Sequence, residues 1–472
     1  MLRISSVELP NKGSYLGQRK VALPNEPIFR NGIYSSGVSD TPLIVEPLQN
    51  APSWFVVYVS GDQHLDNHFP EFSSSSTSSI DTPNRINFYF WLKSINDSLV
   101  GQINKTQAVL VLNGDVFDFD ASWSHDFEPY DELGKISDIE KTNSTINEIF
   151  SNNQLIVNEL RWFLQMSKHT RIVYILGNHD KVFLLDSLLQ KLVLDTLMPN
   201  EAENEQKRKI LFANAASIPE LGLYLEHGHR MEPIYYDDEK FCLVGDWFEF
   251  KIHYLIRKVQ DSMAKADIPN ELKETLTLDA RRIEFILPSS YFLDMFVELL
   301  DKYHDFYKPK DKKIADEIKK VKQTYRGEVG KILQEYLEKF GNVPSMIVNN
   351  PLSRVLLKSK LAGALATRLI TSKDPNLNGM LSRKNNDQKS EGKRLSDIMN
   401  FQIFSGAHTH VSEISDNGFL YTNMGEWKPV THVKSKDDGL EYANFTPSGE
   451  LKLETDLTKP RRIVNYFFDA RA

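Results

Sequence analysis

The stretch Phe55-Val56-Val57-Tyr58-Val59-Ser60-Gly61-Asp62-Gln63-His64 passes from a run of apolar residues directly into glycine, aspartate and histidine. Short runs of β-branched and aromatic side chains are typical of buried β-strands. Asp62 and His64 therefore follow the carboxyl end of a predicted strand. Ligands bind at this end of the strands in open α/β sheets, so the stretch predicts both a strand and a site.

Four further polar motifs follow predicted strands in the same way. Numbered along the chain, the five motifs are Gly61-Asp62-Gln63-His64 (motif 1), Gly114-Asp115-Val116-Phe117-Asp118 (motif 2), Gly177-Asn178-His179-Asp180 (motif 3), His227-Gly228-His229 (motif 4) and Ala407-His408-Thr409-His410 (motif 5). Six of the 12 histidines lie in these motifs, although the motifs occupy a small part of the chain. This concentration indicates a functional site.

The segments between the first three motifs have the periodicity of helices. Apolar residues recur at helical spacing in residues 85–99 and 145–166. Strands that alternate with helices form strand-helix-strand units. We therefore predict an α/β fold, with the motifs at the edge of the sheet where such folds bind ligands.

The predicted organisation is one catalytic domain with an insertion. The domain comprises residues 54–235 and 400–472, which carry the motifs and the strand-like runs. Residues 1–53 are rich in Pro, Gly, Ser and Asn and predict an irregular N-terminal extension. Residues 236–399 have a mostly helical pattern and predict an insertion. Near its end, the polar residues 382–393 indicate a flexible connection.

Composition favours a soluble globular protein. The 472 residues are 41% hydrophobic and 25% charged, and the net charge of −8 argues against a general nucleic-acid surface. Cys242 is the single cysteine, which excludes an intramolecular disulfide and fits a reducing compartment. The N-terminus lacks a signal-peptide pattern, and the apolar runs are far shorter than the roughly 20 residues that span a bilayer. We expect a cytoplasmic protein with, at most, peripheral membrane contact.

The motif residues are of the types that bind divalent ions. Asp62 and His64 share a face of an extended chain and can hold one ion together. His408 and His410 also share a face, and each could reach a different ion. Carboxylate and imidazole ligands suit Mn, Fe, Zn or Co better than Ca. The carboxylate of Asp115, at the end of the neighbouring strand, could bridge two ions.

Two bridged divalent ions predict hydrolytic chemistry on a phosphate. Such ions, about 3.5–4 Å apart, lower the pKa of a shared water and neutralise phosphoryl oxygens during in-line attack. They also bring four positive charges against two from Asp62 and Asp115, and the surplus attracts phosphate. Any one motif alone is weak evidence, but five in order at strand ends are not.

In their order and composition, the motifs resemble those of the calcineurin-like metallophosphoesterases. That family has D-x-H, G-D, G-N-H-[DE], H and G-H-x-H, and all five blocks are present here, with Ala407 where the family usually has Gly. The resemblance covers residues of about 54–230 and 400–430. It implies a four-layer αββα sandwich of two mixed sheets flanked by helices.

The resemblance also implies a role for each motif residue. One ion would bind Asp62, His64, Asp115 and His410, and the other would bind Asp115, Asn178, His227 and His408. His179 would lie near the scissile phosphate, to stabilise the transition state or protonate the leaving group, while Asp180 orients its ring. Two divalent ions are expected, Mn²⁺ first, with Fe, Zn, Co and Ni as alternatives.

The expected activity is hydrolysis of a phosphodiester, pyrophosphate or phosphomonoester by a metal-bridging hydroxide. The predicted substrate is a phosphorylated small molecule or a lipid-linked phosphate. The insertion is similar in position to the helical lid of the UDP-diacylglucosamine pyrophosphatases, and Gly425-Glu426-Trp427 is similar to their G-D-W. A nuclease, a protein phosphatase and a catalytically silent binding module are the alternatives. The sequence leaves the oligomeric state open.

Several residues near the motifs have two interpretations. Asp66 and Asp118 are either loop carboxylates or carboxylates that support a ligand. His229 contacts either the substrate or solvent. Arg230 could bind phosphate, although a surface position is the favoured interpretation. The apolar residues of 283–300 could line a groove for an acyl chain, but the favoured interpretation is the insertion's own core.

Overall fold

The structure is a computed structural model of the chain. It describes residues 2–8, 36–67, 83–122, 134–231, 244–283, 286–287, 292–340, 385–410, 412–416, 419–425, 430–436, 439–445, 448–456 and 463–471, with a few isolated positions between these ranges. Glu426 and Cys242 lie outside the described residues. None of the helices in the described ranges is both long and apolar enough to span a membrane.

The larger sheet contains the strands that precede motifs 1, 2 and 3. Its order is β1 (Leu2–Glu8), β16 (Ile463–Arg471), β15 (Ser448–Asp456), β3 (Trp54–Ser60), β4 (Thr106–Asn113), β5 (Thr170–Ile175) and β6 (Ile210–Ala213). Strands β3 to β6 are parallel, whereas β15 pairs with β3 and β16 antiparallel. The central strands β4 and β5 are buried on both faces, which explains their continuous apolar sequence.

The second sheet contains the strands that precede motifs 4 and 5. Its order is β11 (Glu413–Asp416), β12 (Leu420–Asn423), β10 (Ile403–Gly406), β8 (Leu223–Glu226), β7 (Ala215–Ile218) and β2 (Leu43–Ile44). Strands β8, β10 and β12 are parallel, and β7 and β11 run antiparallel to their neighbours. A third, small sheet has the order β14 (Gly439–Phe445), β13 (Val430–Lys436) and β9 (Ile286–Leu287).

Eleven helices are described. They are α1 (Pro83–Val100), α2 (Phe119–Ser122), α3 (Ile139–Asn152), α4 (Gln154–Gln165), α5 (Ser187–Leu197), α6 (Glu203–Lys209), α7 (Val244–Lys265), α8 (Asn270–Ile283), α9 (Phe292–Tyr307), α10 (Lys312–Phe340) and α11 (Asn385–Met399). The helix predicted over 145–166 is thus two helices, separated at Asn153. The side-chain Nδ2 atom of Asn153 donates to the carbonyl oxygens of Ile149 and Asp66. These hydrogen bonds lie at the break between the two helices.

The predicted α/β fold with two mixed sheets is confirmed. Phe55, Val57 and Val59 face the second sheet and form the core between the sheets, while Val56 and Tyr58 point to the opposite face. This alternation is the two-residue period of a strand. Helices α1, α3, α4 and α5 cover that opposite face, so the sheets are packed against each other with helices outside.

Helix α11 covers the outer face of the second sheet. Its Leu395 and Met399 pack against Tyr224, Phe404 and Tyr421. The prediction of a flexible connection over residues 382–393 is therefore wrong from residue 385 onward. The sequence of α11 is strongly polar, and only one narrow face of it is buried against the sheet, so local composition did not reveal the helix.

Helices α7 to α10 pack into the same apolar core as α1 to α5. Phe296 and Leu300 of α9 are buried in this core, and Phe296 contacts Tyr325 of α10. For these two residues, the favoured interpretation of the apolar segment 283–300 is correct: they belong to the core and do not line an open groove. In the region predicted as an irregular extension, β1 and β2 form edge strands of the two sheets. Residues 9–35 lie outside the described part.

Candidate metal centre

The five motifs converge at one edge of the sandwich. Motifs 1, 2 and 3 follow the carboxyl ends of β3, β4 and β5, which are adjacent parallel strands of the larger sheet. Motifs 4 and 5 follow β8 and β10, which are adjacent parallel strands of the second sheet. The motifs of both sheets therefore meet, although more than 340 residues separate Asp62 from His408 in the sequence.

Three overlapping clusters of buried histidines and carboxylates form there. Cluster I contains Asp62, His64, Asp115 and His410; cluster II contains Asp115, His227 and His408; cluster III contains His64, Asp118 and His179. Within each cluster, one side-chain N or O atom of every member lies within 4.8 Å of those of the others. Asp115 belongs to clusters I and II. Asn178 lies beside cluster II, with its Oδ1 atom 3.3 Å from His227 Nε2. These buried groups could hold a metal ion.

Four of these residues have a left-handed backbone. The φ angles are 50° at His64, 48° at Asp115, 67° at His408 and 59° at His410. Such conformations cost roughly 1–3 kcal/mol each in residues other than glycine, and they concentrate at functional sites. Bonds between loops stabilise them: the His64 amide donates to Asp115 O at 2.8 Å, and the His408 amide donates to the Asp62 carboxylate at 3.1 Å.

Two glycines allow the motifs to approach this closely. Gly114 has φ of 84°, and a Cβ atom at this position would overlap the ring of His227. A Cβ atom on Gly177 would overlap the carboxylate of Asp115. Any side chain at either position would displace a cluster residue. The close packing therefore requires glycine at these positions of motifs 2 and 3.

The histidines of cluster I are oriented to bind a cation. His64 Nδ1 lies 3.2 Å from Asp118 Oδ2, and a carboxylate only accepts, so the Nδ1 atom carries the hydrogen. The His64 Nε2 lone pair then points at His410 Nε2, 3.2 Å away. With the carboxylates of Asp62 and Asp115 beside them, these nitrogens form a donor set of the type that divalent transition metals prefer. The residues present fit a metal ion.

His227 of cluster II is oriented in the same way. Its Nδ1 atom donates to the carbonyl oxygen of Asn113 at 2.9 Å. Its Nε2 atom therefore faces Asp115 Oδ2 at 3.0 Å and Asn178 Oδ1 at 3.3 Å. Metal-binding histidines commonly donate their second ring N–H to a backbone carbonyl or a carboxylate, which fixes the ring.

The electrostatics of cluster II favour a positive charge at this point. Burial alone would raise the pKa of Asp115, but the charges of His227 and His179 outweigh it, so the pKa lies well below its usual range. Burial alone would lower the pKa of His227, but Asp115 and Asp62 raise it to about 9. At neutral pH a proton therefore lies between His227 Nε2 and Asp115, where a cation would bind.

We expect metal binding to release this proton. Because the pKa of His227 is raised to about 9, the ring is protonated at pH 7, and an ion at Nε2 must displace the hydrogen. Affinity should rise by about tenfold per pH unit towards pH 9, and proton release should vanish above it. Calorimetric titration with Mn²⁺ in buffers of different ionisation enthalpy measures the release. Binding at pH 7 without proton release would contradict the expectation.

Asp118, rather than Asp180, contacts the ring of His179. The Nδ1 atom of His179 lies 3.1 Å from Asp118 Oδ1. Asp180 instead accepts from the Tyr174 hydroxyl at 2.6 Å and from the amides of Gly177 and Val116. The predicted role of Asp180 is therefore wrong: its carboxylate ties motif 3 to motif 2. Burial and the charge of Asp115 raise the pKa of Asp180 to about 6.

Arg230 and His229 are both buried. The Arg230 guanidinium lies 3.1 Å from Asp40 and 3.8 Å from Glu226 and is buried, so the favoured surface position is wrong. The His229 ring lies 5.5 Å from that of His227, beside cluster II. Burial, followed by the charge of His227, holds the pKa of His229 well below its usual value, so this imidazole is neutral.

Three further contacts lie around the clusters. The Tyr235 ring packs edge-on against His408, with centroids 4.8 Å apart. Lys181, directly after motif 3, forms a buried ion pair of 2.6 Å with Asp246 at the start of α7. The pair of Lys181 and Asp246 links motif 3 to the beginning of the insertion, and Tyr235 directly precedes the insertion. The backbone N–H of Trp427 donates to Asp62 O at 3.0 Å, so this residue ties the segment after β12 to motif 1.

Comparisons with known proteins make no further assignment. No family model matches the chain, and no curated protein matches it. The functional conclusion therefore depends on the geometry of the clusters and on the order of the motifs.

Proposed function

We propose that the chain is a dinuclear metal-dependent phosphoesterase of the calcineurin-like type. The observation that carries this proposal is that Asp115 belongs to clusters I and II at once. A carboxylate with histidines on both sides is suited to bridge two ions. Cluster I would hold one ion; Asp115, His227 and His408, together with Asn178, would hold the second. Mn²⁺ is the expected metal.

The residues around the clusters support hydrolysis. When bound, two divalent ions supply a water of lowered pKa and positive charge for phosphoryl oxygens. His179 donates through Nδ1 to Asp118, which leaves Nε2 as the atom that can exchange a proton with a leaving group. His179 belongs to cluster III and to neither of the two clusters that share Asp115, so we assign it a proton-transfer role rather than a place in the dinuclear centre.

The proposed substrate is a phosphorylated small molecule or a lipid-linked phosphate, in a cytoplasmic setting. The net charge of −8 disfavours nucleic acid as a substrate. A silent binding module is disfavoured because all seven candidate ligands are present and buried. The ion pair between Lys181 and Asp246 ties α7 to motif 3, which is consistent with a role of the insertion in substrate selection.

The test is hydrolysis of bis-p-nitrophenyl phosphate and p-nitrophenyl phosphate by metal-stripped protein, with and without Mn²⁺. Turnover that requires Mn²⁺ supports the proposal, and faster hydrolysis of the diester would direct the substrate search to phosphodiesters and pyrophosphates. Tight binding of two ions without hydrolysis of either compound would favour a binding module. Failure to bind Mn²⁺ would overturn the proposal.

Replacement of Asp118 by Asn should have two separable effects. The carboxylate accepts from Nδ1 of both His64 and His179, whereas an amide has one acceptor oxygen and would turn its N–H₂ group towards one ring. We expect Mn²⁺ affinity to fall by about 10–100-fold, as for other supporting partners of metal ligands. Turnover should remain reduced even at saturating Mn²⁺, because His179 loses its orientation.

The matched control is Asp186→Asn. Asp186 caps the N-terminus of α5 by accepting from the Leu188 amide, and asparagine caps a helix equally well. Its Mn²⁺ affinity and turnover should equal those of the wild type. If Asp118→Asn regained full turnover at saturating Mn²⁺, the bond to His179 would have no catalytic importance.

A further inference from the structure

The two histidines of motif 5 belong to different clusters, and both have an unfavourable backbone conformation. His408 belongs to cluster II and His410 to cluster I. Both have a left-handed backbone, with φ of 67° and 59°. A loop with two such residues persists only when its surroundings stabilise it. The side chains that form hydrogen bonds to residues 407–410 are therefore important for the geometry of both clusters.

Asn423 is the central residue of these surroundings. It is the last residue of β12 and is paired in register with Gly406, directly before motif 5. Its Nδ2 atom lies 2.9 Å from Ala407 O and 3.0 Å from Thr409 Oγ1. Its Oδ1 atom accepts from the Gly425 amide at 2.8 Å. The side chain is fully buried, so water does not replace these bonds.

Helix α11 also forms hydrogen bonds to motif 5. Asn385 Oδ1 accepts from the Thr409 hydroxyl and lies 3.2 Å from Asn423 Nδ2. The side-chain Nε2 atom of Gln388 donates to Ala407 O at 2.9 Å. A Cβ atom on Gly406 would overlap the Gln388 side chain, so the helix lies directly against the loop. Asn385 and Gln388, in the first turn of α11, therefore bond to motif 5 instead of facing solvent.

We propose that Asn423, Thr409 and Asn385 form a positioning unit for the two histidines of motif 5. The inference rests on the proposed function, because it concerns the ions that His408 and His410 would bind. None of the three belongs to a metal cluster, and all are neutral. They act by fixing the loop in the conformation that separates the two rings. Loss of one bond should weaken both ions together.

The test compares Thr409→Val, Thr409→Ser and Asn423→Asp in Mn²⁺ titrations and in thermal unfolding of the metal-free proteins. Valine has the shape of threonine without the hydroxyl, whereas serine keeps it. We expect Thr409→Val to weaken Mn²⁺ binding by about 10–100-fold and Thr409→Ser to retain nearly normal binding. Asn423→Asp, which turns a carboxylate towards Ala407 O, should weaken binding at least as much if it folds.

Asn96→Asp is the matched control for a loss of stability alone. Asn96 is a buried asparagine of α1 that donates to Glu159, remote from motif 5 in the fold. It should lower the melting temperature without changing Mn²⁺ affinity. Wild-type affinity in Thr409→Val would overturn the positioning role and leave the proposed function intact. A wild-type protein that binds no Mn²⁺ would overturn the proposed function, and the positioning role with it.

Discussion

Asp115→Asn should abolish turnover and the binding of both metal ions. Asp115 is the residue shared by clusters I and II, and its Oδ2 atom lies 3.0 Å from His227 Nε2 and 3.9 Å from His64 Nε2. An amide has no charge and only one acceptor oxygen, so it cannot bridge two cations. We expect activity to fall by at least about a thousandfold, beyond the 10–100-fold typical of a supporting residue.

Titration with Mn²⁺ and hydrolysis of bis-p-nitrophenyl phosphate measure the two losses. The control is Asp138→Asn, because Asp138 caps α3 by accepting from the Lys141 amide at 3.0 Å and asparagine can replace it there. The control should bind two ions and turn over normally. Retention of both ions by Asp115→Asn would exclude a bridging role. Loss of one ion only would place Asp115 in a single site.

His179→Ala should lose most of the rate and keep the metals. His179 lies outside clusters I and II, and its Nδ1 bonds to Asp118. General acid catalysis contributes about 10²–10⁴-fold to a rate, and we expect kcat to fall by that factor. The loss should be smaller for a substrate with a good leaving group, such as p-nitrophenolate, than for one with an alkoxide leaving group, because the former needs less protonation.

His304→Ala provides the control, since His304 lies on α9 and contacts Asp305. It should leave the rate and Mn²⁺ affinity unchanged. Equal losses with good and poor leaving groups would assign His179 to charge stabilisation instead of proton donation. A fall in Mn²⁺ stoichiometry in His179→Ala would make His179 a ligand and overturn the role proposed for it.

The predictions that differ from the structure mainly concern residues whose partners are distant in sequence. The family resemblance implies that Asp180 orients the His179 ring, and it gives Asp118 no role of its own. In the fold, the Asp180 carboxylate turns inward to Tyr174 and to backbone amides, and Asp118, 61 residues away from His179, reaches its ring. The sequence signal was the second aspartate of motif 2, three residues after the first.

The predictions for Arg230 and for residues 382–393 are wrong for a related reason. An arginine after a predicted site suggests a surface or a phosphate, but its partner Asp40 comes from the region predicted as an irregular extension. The polar sequence of α11 suggests a connection, but two of its polar side chains, Asn385 and Gln388, bond to motif 5. Burial of a polar group is favourable only when its partners are present, and here the partners are distant in sequence.

The sequence by itself determined the elements and chemical groups that short-range patterns encode. Apolar runs that end in glycine and aspartate predict buried strands with polar residues at their carboxyl ends, and carboxylate and imidazole side chains are of the types that divalent transition metals prefer. Only the tertiary structure decided which groups lie close enough to share an ion, which carboxylate bonds to the His179 ring, and which helix bonds to motif 5. These are distances between segments, set by how two sheets pack, and no local period in the sequence encodes them.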